Sequence, residues 1–210
     1  IRGIQSHGKR EEAAAAGQRT ALNLQGIKKE EIRRGDVLAY PGSLVRSILA
    51  DVKLSVFQTS GRELKSGDRV HFNYGSAQAI AKAVLLDAER IGPGESAYAQ
   101  LRFDEPIVLK RDDRFIIRFL SPVETFGGGI VLDAAPVRHK RGESQALEAL
   151  KVKERGTEPE VLELMVRETS WQFPPGSRLA TAMNLSRARA EYLIEKLRAA
   201  RRILILADGS

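Results

Sequence analysis

The chain has 210 residues, 42% of them apolar, and no cysteine. That length allows one large or two to three small domains with packed cores, no segment approaches the roughly eighteen apolar residues of a membrane span, and disulfides, thiol catalysis and thiolate metal sites are excluded. Residues 1–46 hold nine Lys/Arg and five Asp/Glu, residues 47–137 eleven and twelve, and residues 138–210 fourteen and ten, giving a net +7; basic ends flanking a neutral middle fit a nucleic-acid partner or a merely soluble basic surface.

Ile1 to Ser6 reads as a strand, and His7 to Gly17 as a charged, alanine-rich connection. Ala21, Leu22 and Leu24 between polar Thr20 and Asn23 read as a half-buried strand, with Gln25-Gly26 as its turn. Lys28 to Arg34 has one large apolar residue, Ile32, and reads as a solvated excursion of about one helical turn. Gly35-Asp36 turns the chain, Val37-Leu38-Ala39 reads as a short strand, and Pro41-Gly42 ends it. Taken alone, Ile1 to Leu44 has open sheet edges.

From Ile48 to Asp133 apolar and polar residues alternate in short runs. Val52, Leu54 and Val56 are followed by a connection marked by Gly61 and Gly67-Asp68. Then come Val70, Phe72 and Tyr74; Ile80, Val84 and Leu86; Ala97, Ala99, Leu101 and Phe103; Phe115, Ile117 and Phe119; and Ile130 to Leu132. About six strands at this spacing predict an antiparallel barrel. Gly127, Gly128 and Gly129 place backbone where no side chain fits, in a tight bend or close to a partner.

Near Arg138 the period changes. Arg138-His139-Lys140-Arg141 reads as a basic linker, a phosphate contact or a solvated hinge, with the hinge favoured. Helices are predicted over Glu143–Arg155, from Thr157 (with Glu160 three residues on and Pro159 early) to about Thr169, over Ser177–Met183, and from a Ser186 cap onward. Ile203–Leu206 reads as a strand and Asp208-Gly209 as a turn. This is a winged helix-turn-helix order.

Gly26, Ile27, Ile32, Arg34, Gly35, Val37, Leu38, Ala39, Pro41, Gly42 and Ser43, at this spacing, resemble the second domain of the translational GTPases, the elongation-factor family. Arg114 to Arg118, Ser121-Pro122 and Thr125 to Asp133 resemble the closing pattern of its third domain. Gly75-Ser76-Ala77-Gln78 and Ala81 to Asp87 are similar to the selenocysteine-specific members rather than to the general aminoacyl-tRNA carrier. The fold class implied is mainly β with α: antiparallel β-barrels, translational GTPase domains II and III, then a winged-helix module. Its implied parts are residues 1–46 (the end of the domain II barrel), 47–136 (the domain III barrel) and 137–210 (a linker helix and a first winged-helix module truncated in the wing). The chain is expected to be a fragment lacking the GTPase domain, from a cytoplasmic protein.

No Gly-x-x-x-x-Gly-Lys-Ser/Thr loop occurs, so that mechanism for cradling nucleotide is absent. His7, His71 and His139 lack metal-ligand spacing. No catalytic, cofactor-binding or metal-binding residue is expected; GTP and Mg belong to the parent family. The resemblance implies contact between the third-domain barrel and the acceptor and T-stem side of a charged tRNA. His71, Ser76, Gln78, Lys82, Arg118 and the Gly127, Gly128 and Gly129 backbone are the candidates; only Arg118 and the glycines follow the matched motif, the others being chosen as polar positions in strands. Lys110-Arg111 is expected to be a loop pair. In the last module Arg187 and Arg189 open the longer helix, where this motif commonly meets nucleic acid, although a structural spacer is the favoured reading. The implied partners are selenocysteyl-tRNA, the ribosome, the factor's own GTPase domain and, through later winged-helix modules, a selenoprotein mRNA hairpin. A rival reading is a DNA-binding winged-helix regulator whose barrel senses or dimerises.

Overall fold

A computed structural model describes residues 1–206 and divides the chain into two compact units, Ile1–Asp36 and the remainder from Val37 onward. The first unit is a three-stranded antiparallel sheet in which β1 (Gly3–Ser6) lies between β2 (Lys9–Glu11) and β3 (Ala21–Asn23). The β1–β2 hairpin closes through His7 and Gly8, both at positive φ (50° and 78°), the primed geometry whose twist matches its strands. The Lys28–Arg34 excursion contains one 3-10 turn, Lys29–Glu31, entered with Lys28 N–H donating to the Glu31 carboxylate at 2.7 Å.

In the second unit, Val37–Ala39 is not a strand. Its side chains show no alternation of burial: Val37 and Leu38 are 47% and 59% exposed, so nothing pins a pairing register. The barrel begins at β4 (Arg46–Val56). It continues through β6 (Arg69–Tyr74), β7 (Ala77–Leu85), β9 (Ser96–Val108), β10 (Arg114–Phe119) and β11 (Thr125–Asp133), closing in the order β10-β11-β4-β9-β7-β6 with β6 paired back to β10. The connection between β4 and β6 contributes β5 (Leu64–Lys65), which pairs with β8 (Arg90–Ile91) as a separate two-stranded ribbon.

Closure removes the sheet edges and encloses the inward set of every strand. Val52, Leu54, Val70, Phe72, Ala81, Ala83, Ala99, Leu101, Ile117 and Phe126 are completely buried. Phe72 sits edge-on to Phe103 with ring centroids 5.0 Å apart, and Phe119 stacks on Phe126 at 3.7 Å.

The glycine triplet lies within β11 and makes no bend. A Cβ on Gly127 would stand 2.4 Å from the Ser55 carbonyl oxygen, one on Gly128 2.5 Å from that of Phe115, and one on Gly129 2.1 Å from that of Lys53. The close partner is the barrel's own wall: β11 approaches β4 and β10 more closely than any side chain allows.

After the barrel come α1 (Ser144–Arg155), α2 (Glu158–Thr169), α3 (Gly176–Ala182) and α4 (Arg187–Ala199). Thr157 N–H donates to the Glu160 carboxylate at 2.8 Å at the start of α2, and the Ser186 hydroxyl accepts from Arg189 N–H at 3.3 Å at the start of α4, so the predicted start signals act as caps. Asn184 takes the left-handed turn between α3 and α4 (φ 55°). Val161, Leu162, Met165, Leu179, Met183, Leu193 and Leu197 form the core of α2–α4. Ile203–Leu206 is not a strand, because among the described residues no strand pairs with it; the Asp208-Gly209 turn lies outside the described residues.

Helix α1 belongs with the barrel as much as with the other helices. Its Leu150 joins Leu86, Tyr98 and Leu132 in a separate apolar cluster on the barrel's outside, supported by Leu147. Its Val152 packs against the α2–α4 core.

Candidate nucleic-acid interface

Strand β6 lies between β10 and β7 in the barrel wall. Its inward residues are Val70 and Phe72, so Arg69, His71 and Asn73 point outward. Register then fixes their neighbours. Arg118 of β10 is opposite His71, and Ile116 is opposite Asn73. Across the other edge, Ile80 of β7 is opposite His71, Gln78 opposite Asn73 and Lys82 opposite Arg69. The structure therefore gathers four of the candidates, His71, Gln78, Lys82 and Arg118, on one outer face spanning three strands. Ser76, exposed, sits in the two-residue turn joining β6 to β7 behind Gly75 (φ 52°).

The polar groups of this face are cations and neutral donors or acceptors, interleaved with Ile116 and Ile80. Gln78 Nε2 lies 3.3 Å from His71 Nδ1, which orients both side chains. Arg69 is paired with Asp104 of β9, reaching across β7. Lys82 and Arg118 make no ion pair among the described residues. The Arg118 Nε and the Asn73 Nδ2 are buried without a hydrogen-bond acceptor. Such orphaned donors are uncommon in folded proteins, and here two stand diagonally on adjacent strands. Asn73 and Arg69 were not selected from the sequence; the signal that finds them is their outward parity in β6.

Gly127, Gly128 and Gly129 are placed differently. Gly127 and Gly128 are buried, and all three occupy the wall between β4 and β10. Only Gly128 shares the outward parity of Ile116, its partner in β10.

Arg187 and Arg189 lie on α4, outside the barrel wall, and both meet carboxylates. Arg187 Nε donates to Glu191 at 2.7 Å, one turn along the same helix. Arg189 gives two hydrogen bonds to the Glu158 carboxylate of α2, at 2.8 and 2.6 Å, and its guanidinium lies 5.4 Å from the Tyr192 ring centre. Arg198 pairs with Glu195, and Arg202 with Glu163. The loop pair Lys110-Arg111 divides: Lys110 is exposed, whereas Arg111 reaches inward to the carbonyl oxygens of Leu132 (3.2 Å) and Lys153.

The linker is also more than a basic hinge. Its His139 Nε2 lies 2.9 Å from the fully buried Asp51 carboxylate. Gln100, also fully buried, donates to Asp51 and to the Val137 carbonyl, each at 2.9 Å. Burial raises the Asp51 carboxyl above its ordinary value, opposed by His139 and Gln100. The hydrogen bond to Asp51 raises the His139 imidazole above its ordinary value, opposed by burial. Farther along, Lys153 of α1 is 4% exposed and donates to Asp133 and Glu168, each at 2.8 Å. Burial alone would lower its ammonium, but the two carboxylates hold it well above the usual lysine range.

Among the described residues, no group of three His, Cys, Asp or Glu side chains is placed to hold a metal ion, and no helix is long and apolar enough to cross a membrane. A cleft of about 660 Å³ runs between Leu109–Arg111, Asp133–Ala135 and α2–α3; it gathers none of the candidate residues.

Residues 51–138 match the family described as the β-barrel domain of selenocysteine-specific elongation factors. The chain is 39% identical over 168 residues to the selenocysteine-specific elongation factor of Desulfomicrobium baculatum, covering 80% of this chain and 26% of that protein. It is 29% identical over 157 residues to the protein of the same description from Escherichia coli, covering 71% of this chain and 23% of that protein. The chain thus spans about a quarter of the length of these curated relatives.

Proposed function

We propose, starting from a chain that belongs to the family of selenocysteine-specific elongation factors, that its barrel binds selenocysteyl-tRNA through the outer face of β10, β6 and β7. The observation that supports this most is the gathering of Arg118, His71, Gln78 and Lys82 on that face, with both Arg118 and Lys82 free of ion pairs among the described residues. A-form RNA is recognised mainly through phosphates and 2′-hydroxyls. That requires cations beside neutral donors and acceptors, which this face supplies around Ile116 and Ile80. Asn73 and Arg69 join the set as further contacts. The triplet Gly127–Gly129 acts by letting the wall close under Ile116 and Arg118.

In this reading the division into residues 1–46, 47–136 and 137–210 corresponds to the end of a second-domain barrel, a third-domain barrel and the first winged-helix module. The whole factor delivers its tRNA to the ribosome at a recoded UGA codon. It binds GTP and Mg through a GTPase domain that these 210 residues do not contain, and the helical part leads toward modules that grip a selenoprotein mRNA hairpin.

A DNA-binding regulator is disfavoured by α4, whose Arg187 and Arg189 already face carboxylates. Fluorescence anisotropy separates the two readings: a selenocysteine tRNA should displace labelled duplex DNA of similar length from the chain. Displacement of the tRNA by the DNA would favour the regulator.

A further inference from the structure

We propose that residues 137–156 form a rigid strut that seats α2–α4 on the barrel in one orientation, with His139 and Lys153 as its two pins. The strut is anchored along its whole length. At its start, Gln100 and Arg102 hold the linker backbone: Gln100 donates to the Val137 carbonyl, and Arg102 donates to the His139 carbonyl at 3.1 Å. His139 itself enters the barrel's outer surface and meets Asp51. Asp51 and Gln100 are opposite each other on β4 and β9 and face outward by parity. They are nevertheless 0% exposed, because this segment covers them.

Next, Arg141 pairs with Glu89 at 2.6 Å, and Gly142 N–H donates to the Leu86 carbonyl at 2.9 Å. Helix α1 then lays Leu147 and Leu150 on Leu86, Tyr98 and Leu132. The Tyr98 hydroxyl donates to Glu154. At the far end Lys153 ties three elements together, since its own helix is α1, Asp133 is on β11 and Glu168 is on α2. Arg111 fastens the same point by donating to the Lys153 carbonyl.

Three of the anchoring side chains, Asp51, Gln100 and Lys153, are buried polar groups. Tilting α2–α4 away from the barrel would carry off Glu168 and leave the Lys153 ammonium, only 4% exposed, with Asp133 as its one remaining carboxylate, and a buried charge is costly to leave under-paired. Unlike a patch of apolar contacts, paired buried charges tolerate little sliding. A partner held beyond α4 is consequently presented at a fixed position relative to the barrel.

The chain has no cysteine, so two spin labels can be placed uniquely, at Glu105→Cys on β9 and Lys196→Cys on α4, both exposed. Pulsed electron–electron resonance on the 210-residue chain should give one narrow distance distribution. A broad or multimodal distribution in the unsubstituted background overturns the strut. Glu168→Gln and His139→Gln should each broaden the distribution while the barrel's circular dichroism is retained. If both keep the narrow distribution, the pins are not what hold the orientation. Lys153→Met should broaden it further; should that variant not fold, the other three samples still decide.

Discussion

Arg189 on α4 donates two hydrogen bonds, from Nε at 2.8 Å and Nη2 at 2.6 Å, to one carboxylate oxygen of Glu158 on α2. The pair lies at the start of the helix that a winged-helix protein commonly turns toward nucleic acid. Both side chains are about half exposed, so the pair contributes only about 0–1 kcal/mol to stability. It also places a negative charge beside Arg189, which a phosphate approaching that guanidinium would meet.

Glu158→Gln should therefore strengthen binding of the chain to RNA in a sequence-independent way. The logarithm of the binding constant should fall more steeply with the logarithm of salt concentration, by somewhat under one unit for one freed phosphate contact. Fluorescence titrations across a salt series measure this. An unchanged slope would show that α4 does not approach the RNA at all.

The glycine triplet should be a stability determinant. Gly129→Ala forces a Cβ against the Lys53 carbonyl and the Phe115 ring, and overpacking of this kind costs about 1–3 kcal/mol. Urea unfolding should show a lowered midpoint. A variant of unaltered stability that has lost tRNA affinity would instead place the glycine backbone against the RNA.

Lys153→Met removes the cation between Asp133 and Glu168. Breaking a buried pair from one side costs about 3–5 kcal/mol, and the loss should appear in the same unfolding assay. The pH dependence has a definite sign. Burial would raise the Asp133 carboxyl, but Lys153 brings it below its ordinary value of 3.8. Its contribution is present above that value and lost as pH falls through the lowered one. Without Lys153 burial is left to raise that carboxyl, so the sign should reverse and the variant should recover stability as pH falls instead of losing it.

At the other end of the scale His139 governs. Its value is raised above 6.5 by the hydrogen bond to Asp51, so its contribution is full below 6.5 and is lost as pH rises through the raised value. Asp51, also raised, acts in the same direction, its contribution being full only below 3.8. Thermal stability should decline from pH 6 into the mildly alkaline range, and His139→Gln should flatten that decline. A steeper decline in the variant would contradict the pairing.

Where one face of a strand is buried, sequence parity carries the structure. Val70, Phe72, Phe115, Ile117 and Phe119 announce their inward positions, and outward His71 and Arg118 follow from them. Legibility fails where the partner is distant. Arg138 to Arg141 look like a solvated hinge because the group that claims His139 is Asp51, 88 residues earlier. The triplet's need for glycine is visible in the sequence, but the atoms that impose it, on Ser55, Phe115 and Lys53, are not. The two-residue strands β5 and β8 are too short to show any period. Arg187 and Arg189 read as available cations because Glu158, which holds Arg189, belongs to another helix.

The central claim is that RNA meets the outer face of β10, β6 and β7. The direct test is the affinity and salt dependence of selenocysteyl-tRNA binding for two double variants of comparable measured stability, Arg118→Ala with Lys82→Ala, and Arg187→Ala with Arg189→Ala. The barrel-face pair should weaken binding by roughly 2 kcal/mol, about 1 kcal/mol per lost contact, and flatten the salt slope by somewhat under two units, while the α4 pair leaves both nearly unchanged. Abolished binding in the α4 pair, with affinity and slope intact in the barrel-face pair, would put the site on the helices and contradict the account.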